Sequence, residues 1–235
     1  MNGRQKAALV TGASSGIGEA ISKKLREMDY LVYGIGRHFR EPSSDAGFRQ
    51  INLDLLETGK LEAWVRDFKK EHTLSLLVNN AGCAYYGLHE ELNPGKIREM
   101  VRLNLEVPMV LSNYFLRDLK KEKGTIVNIS SVTATKASPH GCAYAATKAG
   151  LSGFSNSLFE EARKYGLRVI NIQPDMTDTQ LYRNANFEAD AEVFAHLEAK
   201  EIAQAVAYAI SLREGMCLTE LTVKPQFHRI SRKKD

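Results

Sequence analysis

The stretch SVTATKASPHGCAYAATK, residues 131–148, holds a serine, a tyrosine and a lysine whose spacing could move a proton. If a helix begins near Ala143, Tyr144 and Lys148 stand at i and i+4 on one face, with Cβ atoms roughly 5–6 Å apart. A free phenol has a pKa of about 10 and exchanges protons poorly at neutrality. An ammonium about 5 Å away, at an effective dielectric of about 20, is worth roughly 3 kcal/mol. That corresponds to about two pKa units, which draws Tyr144 toward the working range. A hydroxyl from Ser131 could then hold a carbonyl oxygen beside the phenol. The chemistry would be proton exchange with a carbonyl or alcohol oxygen. Tyrosine–lysine pairs at this spacing also decorate many helix surfaces, so the reading depends on the elements that position it.

Those elements alternate along the chain. Ala7-Ala-Leu-Val-Thr11 is a short apolar run ending in Gly12-Ala-Ser-Ser-Gly16-Ile-Gly18, and Ile17, Ala20, Ile21, Lys24, Leu25 and Met28 then recur at helical spacing. Strand, glycine turn and helix open a dinucleotide-binding βαβ unit: glycine lets backbone approach a pyrophosphate, and the helix N-terminus supplies free N–H groups. The spacing here is G-x-x-x-G-x-G rather than G-x-G-x-x-G. A glycine cluster alone marks only a tight turn; its place between strand and helix is what makes it informative.

Residues 31–36 read as the second strand, followed by Arg37, His38 and Arg40, with no acid until Glu41. An acid at this junction holds a ribose 2′-hydroxyl, whereas an arginine suits a 2′-phosphate. Arg37, with Ser14 as a second phosphate ligand, therefore points to NADP(H) rather than NAD(H); an exposed loop arginine is the plainer alternative. Further strands are expected at residues 48–53, 74–78, 124–130, 167–173 and 218–223. Helices are expected around Leu61, Trp64, Val65 and Phe68, from Asn93-Pro94 to about Lys121, and over about 200–212. Ser131 is delivered by a strand end, and Asn104 sits inside the long helix although asparagine is a poor helix former. Alternating strands and helices predict one Rossmann-type, doubly wound parallel sheet of about seven strands, covered on both faces. No linker, repeat or low-complexity segment divides it, so residues 1–223 read as one domain and 224–235 as a basic tail.

Composition excludes several classes. No apolar run approaches the roughly 18 residues of a membrane span, and MNGRQKAALVTG passes directly into a strand, so no signal peptide is expected. Three widely spaced cysteines, Cys83, Cys142 and Cys217, suit neither a disulfide framework nor a metal site and fit a reducing cytoplasm. Cys142 reads as a buried small hydrophobe. The net charge of +4 lies entirely in residues 224–235, since the rest of the chain carries 27 basic and 27 acidic side chains. A neutral body with a short basic end reads as a solvated terminus, not a nucleic-acid surface.

Taken together, Thr11-Gly-Ala-Ser-Ser-Gly-Ile-Gly18, Asn79-Asn-Ala-Gly82, Asn104, Ser131, and Tyr144 with Lys148 resemble the short-chain dehydrogenase/reductase family, in order and at about that family's spacing. The resemblance spans nearly the whole chain. It implies a nicotinamide cofactor and carbonyl/alcohol redox chemistry on a small-molecule substrate. By this resemblance Gly12, Ser14, Ser15, Gly16, Ile17 and Gly18 line the pyrophosphate and adenosine ribose. Asp54 and Leu55 lie at the adenine, and Asn80, Ala81 and Gly82 along the ribose. Ser131 holds the substrate oxygen, Tyr144 is the general acid/base, and Lys148 binds the nicotinamide ribose as well as lowering the tyrosine pKa. Asn104 holds a water that links Lys148 to solvent.

Two segments depart from the family pattern. Pro174-Asp-Met-Thr-Asp-Thr179 keeps Pro174 and Thr179 of Pro-Gly-x-Val-x-Thr but has Asp175 for the glycine and Thr177 for the valine. The Thr177 main chain can still meet the nicotinamide carboxamide, while Asp175 puts the turn in question. The C-terminus lacks the Asp-Gly-Gly of many relatives. Residues 175–199 carry six acids and one base, Arg183, and read as a solvated helix face. Tyr85, Tyr86, His89 and His140 are candidates for the pocket wall or for ordinary packing. Relatives imply a homodimer or homotetramer, and the apolar positions Leu151, Phe154, Leu158 and Ala162 suit either an interface or the core. The rival from another class is a non-catalytic NADP(H)-binding regulator on the same fold.

Overall fold

Apolar runs without alternation become strands buried on both faces: β1 (Ala7–Thr11) and β2 (Leu31–Gly36), then, after the alternating and partly exposed edge strand β3 (Phe48–Asn52), β4 (Leu74–Asn79), β5 (Thr125–Ile129) and β6 (Arg168–Pro174). Three short strands follow outside that sheet, β7 (Thr177–Asp178), β8 (Phe187–Ala189) and β9 (Leu197–Glu198). The seventh sheet strand is β10 (Glu220–Val223), and β11 (Ile230–Arg232) comes last. The sheet order is β10-β6-β5-β4-β1-β2-β3, with every pairing parallel. This computed structural model describes residues 5–227 and 229–233. The first four residues, His228, Lys234 and Asp235 lie outside it, as do the expectations that fall on them.

Among the described residues six α-helices pack around the sheet: α1 (Gly16–Glu27), α2 (Thr58–Glu71), α3 (Pro94–Val101), α4 (Val107–Lys121), α5 (Cys142–Ala162) and α6 (Ala199–Ser211). Successive strand side chains face opposite ways, which divides the core in two. Leu9, Ile35, Leu77 and Ile126 pack with Leu61 and Phe68 of α2, Leu111 and Phe115 of α4, and Leu158 of α5. Val10, Val32, Val78 and Val127 pack with Ile21 and Leu25 of α1 and Ile202 and Val206 of α6. The winding reverses between β1 and β4, so a crevice opens beyond the C-terminal ends of these two strands, where open α/β sheets bind ligands.

Several local expectations are revised. The helix from Asn93 starts as predicted, with Asn93 Oδ1 accepting the Gly95 N–H at 2.7 Å and Pro94 in its first turn. It reaches Lys121 only through a π-helical turn, Arg102–Glu106, in which Val107 N–H bonds Arg102 O. Pro108 has no N–H, so it cannot close the α-helical bond onto the Asn104 carbonyl. Residues 175–199 form no α-helix before α6 begins at Ala199; they are 3₁₀ turns and the short strands β7, β8 and β9. Part of the tail is nevertheless ordered against the body: β11 pairs antiparallel with β8 while most of the described tail residues stay exposed. Cys142 is exposed, and Cys83 is the buried cysteine. Leu151, Leu158 and Ala162 are buried in this single chain, and Phe154 packs against the same core, so that face is interior.

The glycine turn depends on close packing. Gly12 has φ +67°, and a Cβ there would stand 2.9 Å from Asn80 Nδ2. At Gly18 an added Cβ would lie 2.2 Å from Gly12 O and 2.4 Å from Asn80 Nδ2, with backbone that cannot swing aside. Gly18→Ala is therefore expected to lower the unfolding free energy by about 1–3 kcal/mol, as overpacking does. Urea denaturation reads this directly, and an unchanged midpoint would mean the turn has slack that its geometry denies.

Candidate active site

Strand ends at the crevice are tied to one another before anything binds there. The Thr11 hydroxyl oxygen accepts the N–H groups of Asn80 and Ala81, each at 3.0 Å, and donates to Val78 O at 3.3 Å. The Asn80 side chain donates back to Thr11 O at 2.9 Å and Gly12 O at 3.3 Å. It is thus committed to the glycine turn. Ser15 takes the N-cap position of α1 but makes no side-chain capping bond. The first N–H groups of α1 are left for the crevice, which gives that helix start the character of an anion site.

The resulting cavity is about 230 Å³. By sheet order it runs from Ser14, Arg37, Asp54 and Leu55 near β2 and β3, past Gly12, Ser15, Gly16, Ile17, Asn80, Ala81 and Gly82 at β1 and β4. It ends at Ser131, Tyr144, Lys148, Pro174, Thr177 and Thr179 beside β5 and β6. Tyr85, Tyr86, His89 and His140 are not on its wall, nor are two of the residues named for catalysis and cofactor binding, Gly18 and Asn104. Gly18 packs behind the turn, as described above. Asn104 is fully buried behind Cys83. Its Oδ1 accepts the Cys83 N–H and its Nδ2 donates to Cys83 O, both at 2.9 Å, with a further bond to Thr147 Oγ1 at 3.1 Å. Asn104 nevertheless reaches the catalytic end: a Cβ added at Gly82 would stand 3.2 Å from Asn104 Oδ1 and 3.7 Å from Lys148 Nζ.

Ser131 leaves β5 with extended backbone and caps a 3₁₀ turn. Its Oγ accepts the Thr133 N–H at 3.2 Å and the Thr133 hydroxyl at 3.0 Å. With its acceptor positions taken, Ser131 is left to donate, and donation toward Tyr144 favours the phenolate. Thr133 was not singled out in the sequence; only its two-residue offset from Ser131, that of a serine turn, could have marked it. Lys148 is 5% exposed, and its Nζ donates to Ile129 O at 2.8 Å while standing 5.8 Å from the Tyr144 ring centroid.

The electrostatics differ from the expectation. Burial, then the neighbouring Tyr182, pushes the Tyr144 phenol above its ordinary range, with the Ser131 hydrogen bond pulling the other way. Burial lowers the Lys148 ammonium to about 8. The lysine does not bring the phenol down in the resting protein, because desolvation disfavours the charged form of both partners. Cys83, also on the cavity wall, has its thiol raised to about 12 by burial and then by Glu99, so it is no nucleophile.

Asp175 does not need a glycine conformation, since its φ is not positive. Its N–H bonds Val223 O at 2.9 Å, its carboxylate accepts the Met176 N–H at 2.9 Å, and its carbonyl accepts the Thr177 hydroxyl at 2.9 Å. The turn is intact. Of the aromatic candidates, Tyr86 packs 6.0 Å from the Tyr144 ring and 5.0 Å from Phe187. The Tyr85 hydroxyl bonds Glu99 at 2.9 Å, while His89 and His140 are exposed. Sequence reasoning missed Leu181, Tyr182 and Arg183, which line the cavity from the segment after Thr179. That segment was weighed only for its charge; the tyrosine three residues past a capping threonine was the available signal.

The cavity suits a dinucleotide. It has an uncapped helix start, glycines where side chains would collide, a basic residue at the β2 end and a buried lysine at the other. Residues 6–190 match the family model described as short chain dehydrogenase. The chain is 30% identical over 231 residues to an uncharacterized oxidoreductase of Staphylococcus epidermidis, covering 94% of this chain and 98% of that protein. It is 32% identical over 224 residues to the 3-oxoacyl-[acyl-carrier-protein] reductase of Escherichia coli K12, covering 90% and 92%. A metagenomic short-chain oxidoreductase solved in complex with NADP superposes with a TM-score of 0.79 at 28% identity, covering 94% of this chain and 97% of that one. With fold, cavity and sequence match agreeing along most of its length, the chain belongs to the short-chain dehydrogenase family of oxidoreductases.

Proposed function

We propose that the protein is a carbonyl reductase that prefers NADP(H) to NAD(H), with Tyr144 as general acid/base. The observation that carries this reading is the convergence of Ser131, Tyr144 and Lys148 on one cavity with the glycine turn and Arg37. The names of two relatives support it, an acyl-carrier 3-oxo reductase and an NADP complex. In this reading Arg37 and Ser14 hold the 2′-phosphate. The N–H groups at Ser15, Gly16 and Ile17, with Thr179, hold the pyrophosphate. Asp54 and Leu55 flank the adenine, and Lys148 and the Thr177 main chain, beside Pro174, hold the nicotinamide end. When bound, the nicotinamide supplies or accepts the hydride.

The chain's own residues supply the rest. Ser131, left with only a donor, bonds the substrate oxygen, and Tyr144 gives its proton to that oxygen as negative charge develops there. A raised phenol pKa suits this role, because the proton is present at neutral pH and leaves only toward a stronger base. The Lys148 ammonium then faces a phenolate and stabilises it. The Asn104 carbonyl, with no α-helical donor from Pro108, is placed to hold a water that returns protons toward Lys148. Among the described residues no helix is long and apolar enough to cross a membrane.

Three measurements test this. In fluorescence titrations wild type should bind NADPH more tightly than NADH. Arg37→Ala should weaken NADPH by about 10–100-fold, the worth of a charge-assisted contact, with NADH little changed; equal losses would remove Arg37 from the phosphate site. Tyr144→Phe should reduce turnover by at least about 10²-fold with NADPH affinity within a few-fold, and retained turnover would end the assignment. For pH, Lys148 carries charge below about 8 and loses it above. Since the charged lysine favours proton release from Tyr144, carbonyl reduction should be level below that pH and fall as pH rises through it. A reduction rate that climbs through the same window would contradict the role given to Lys148.

A further inference from the structure

The cavity is about 230 Å³, below the roughly 300–1,000 Å³ of small-molecule sites, although a dinucleotide is the ligand it is shaped for. Part of its wall at the catalytic end comes from the segment after Thr179. A 3₁₀ turn, Gln180–Asn184, capped by Thr179 Oγ1 accepting the Leu181 N–H at 3.4 Å, carries Tyr182 to the wall beside Pro174, Thr177, Tyr144 and Lys148. The Tyr182 ring stacks on Tyr86 at 6.3 Å with planes 30° apart and meets Phe187 at 5.5 Å. Burial, followed by the Asp175 charge, raises the Tyr182 phenol to about 12 against the opposing pull of the Thr177 backbone, so it stays neutral.

We propose that Tyr182 is a built-in occupant of the nicotinamide end of the cavity, and that the C-terminal strand holds it there. This rests on the cofactor reading above. A planar six-membered ring carrying an oxygen, on the wall it shares with Thr177, Tyr144 and Lys148, describes both a phenol and a nicotinamide bearing its carboxamide. The two therefore compete for one slot.

The strap is equally specific. β8 pairs with β11, Ser231 facing Glu188. Lys233 Nζ bonds the Tyr182 carbonyl at 2.6 Å, and the Lys233 N–H bonds Asn186 O at 3.1 Å. Ser231 Oγ donates to Asp190 Oδ2 at 2.7 Å, and Arg229 pairs with Glu192. At the root of the segment Thr177 and Asp178 pair with Leu197 and Glu198. Tyr182 thus hangs between two short two-stranded ladders that lie outside the seven-stranded sheet. Apparent affinity is the intrinsic affinity scaled by the fraction of molecules with the slot open, so the occupant weakens nicotinamide binding and nothing else.

The test compares two ligands on the full chain by isothermal titration: NADPH, and 2′-phospho-ADP-ribose, which keeps the adenosine and diphosphate but lacks the nicotinamide ring. Tyr182→Ala should tighten NADPH by about tenfold or more and leave 2′-phospho-ADP-ribose unchanged. Tyr182→Phe, which keeps the packing and loses only the hydroxyl contact, and Lys233→Met, which releases the carbonyl, should each give a smaller shift in the same direction. Equal tightening of both ligands would replace the plug with a general lid and overturn the proposal. Weaker NADPH binding in Tyr182→Phe would make Tyr182 a cofactor ligand and overturn it too. If neither ligand binds wild type or any variant, the cofactor reading itself falls, and the plug with it.

Discussion

Burying the Lys148 ammonium is the constraint on which the catalytic end depends. A charge taken out of water is costly unless hydrogen bonds are placed to receive it, and the receiving group is Ile129 O at the end of β5. That bond requires α5 to sit on the sheet in one register. The register is fixed by polar groups inside an otherwise apolar core. Ser130 Oγ donates to Lys148 O at 2.9 Å and shares a bond of the same length with Ser152 Oγ, which Asn171 Nδ2 reaches at 3.0 Å. Asn79 Nδ2 donates to Asn128 Oδ1 and Asn128 Nδ2 to Ser155 Oγ, both at 2.8 Å. Asn79, Asn128 and Asn171 are register partners across β4, β5 and β6. Apolar side chains alone would let the helix settle in several neighbouring positions; buried hydrogen bonds are lost if it slides by a residue.

The same burial explains why the simple charge argument for Tyr144 and Lys148 gave the wrong resting state. At an exposed helix surface the lysine would lower the phenol pKa by Coulomb attraction. Inside, each partner loses its own hydration first, so the phenol goes up and the ammonium comes down. The pair waits as a neutral phenol beside a weakly held proton. Its attraction matters only once the phenol begins to give up its proton, which is when stabilisation accelerates a reaction.

Much of the fold was legible because it is locally encoded. The inner sheet strands are short apolar runs, each helix begins where periodicity changes, and the glycine turn is forced by close approaches at Gly12 and Gly18. Ser131, Tyr144 and Lys148 were legible for the same reason: a strand end and one helical turn place them. Asn104 was found, but its geometry was not. The π-turn follows from Pro108 four residues on and from the Cys83 backbone that Asn104 clasps, a partner 21 residues away. Thr133 and Tyr182 act through orientation, and residue type alone does not report orientation.

The segment after Thr179 and the tail were misread for a deeper reason. Each was judged by its own composition, one acidic and one basic, and each alone looked solvated. They are halves of one contact: Arg229 meets Glu192, Ser231 meets Asp190, and Ile230 stands opposite Ala189, 41 residues earlier. Pairing of that kind leaves little local trace, because an edge ladder with alternate residues in solvent needs no apolar run. The two charges are complementary: residues 175–199 carry six acids against one base, and residues 224–235 carry five bases against one acid. The same complementarity makes the strap reversible, since exposed ion pairs contribute about 0–1 kcal/mol each. Such contacts bias the position of Tyr182 without locking it.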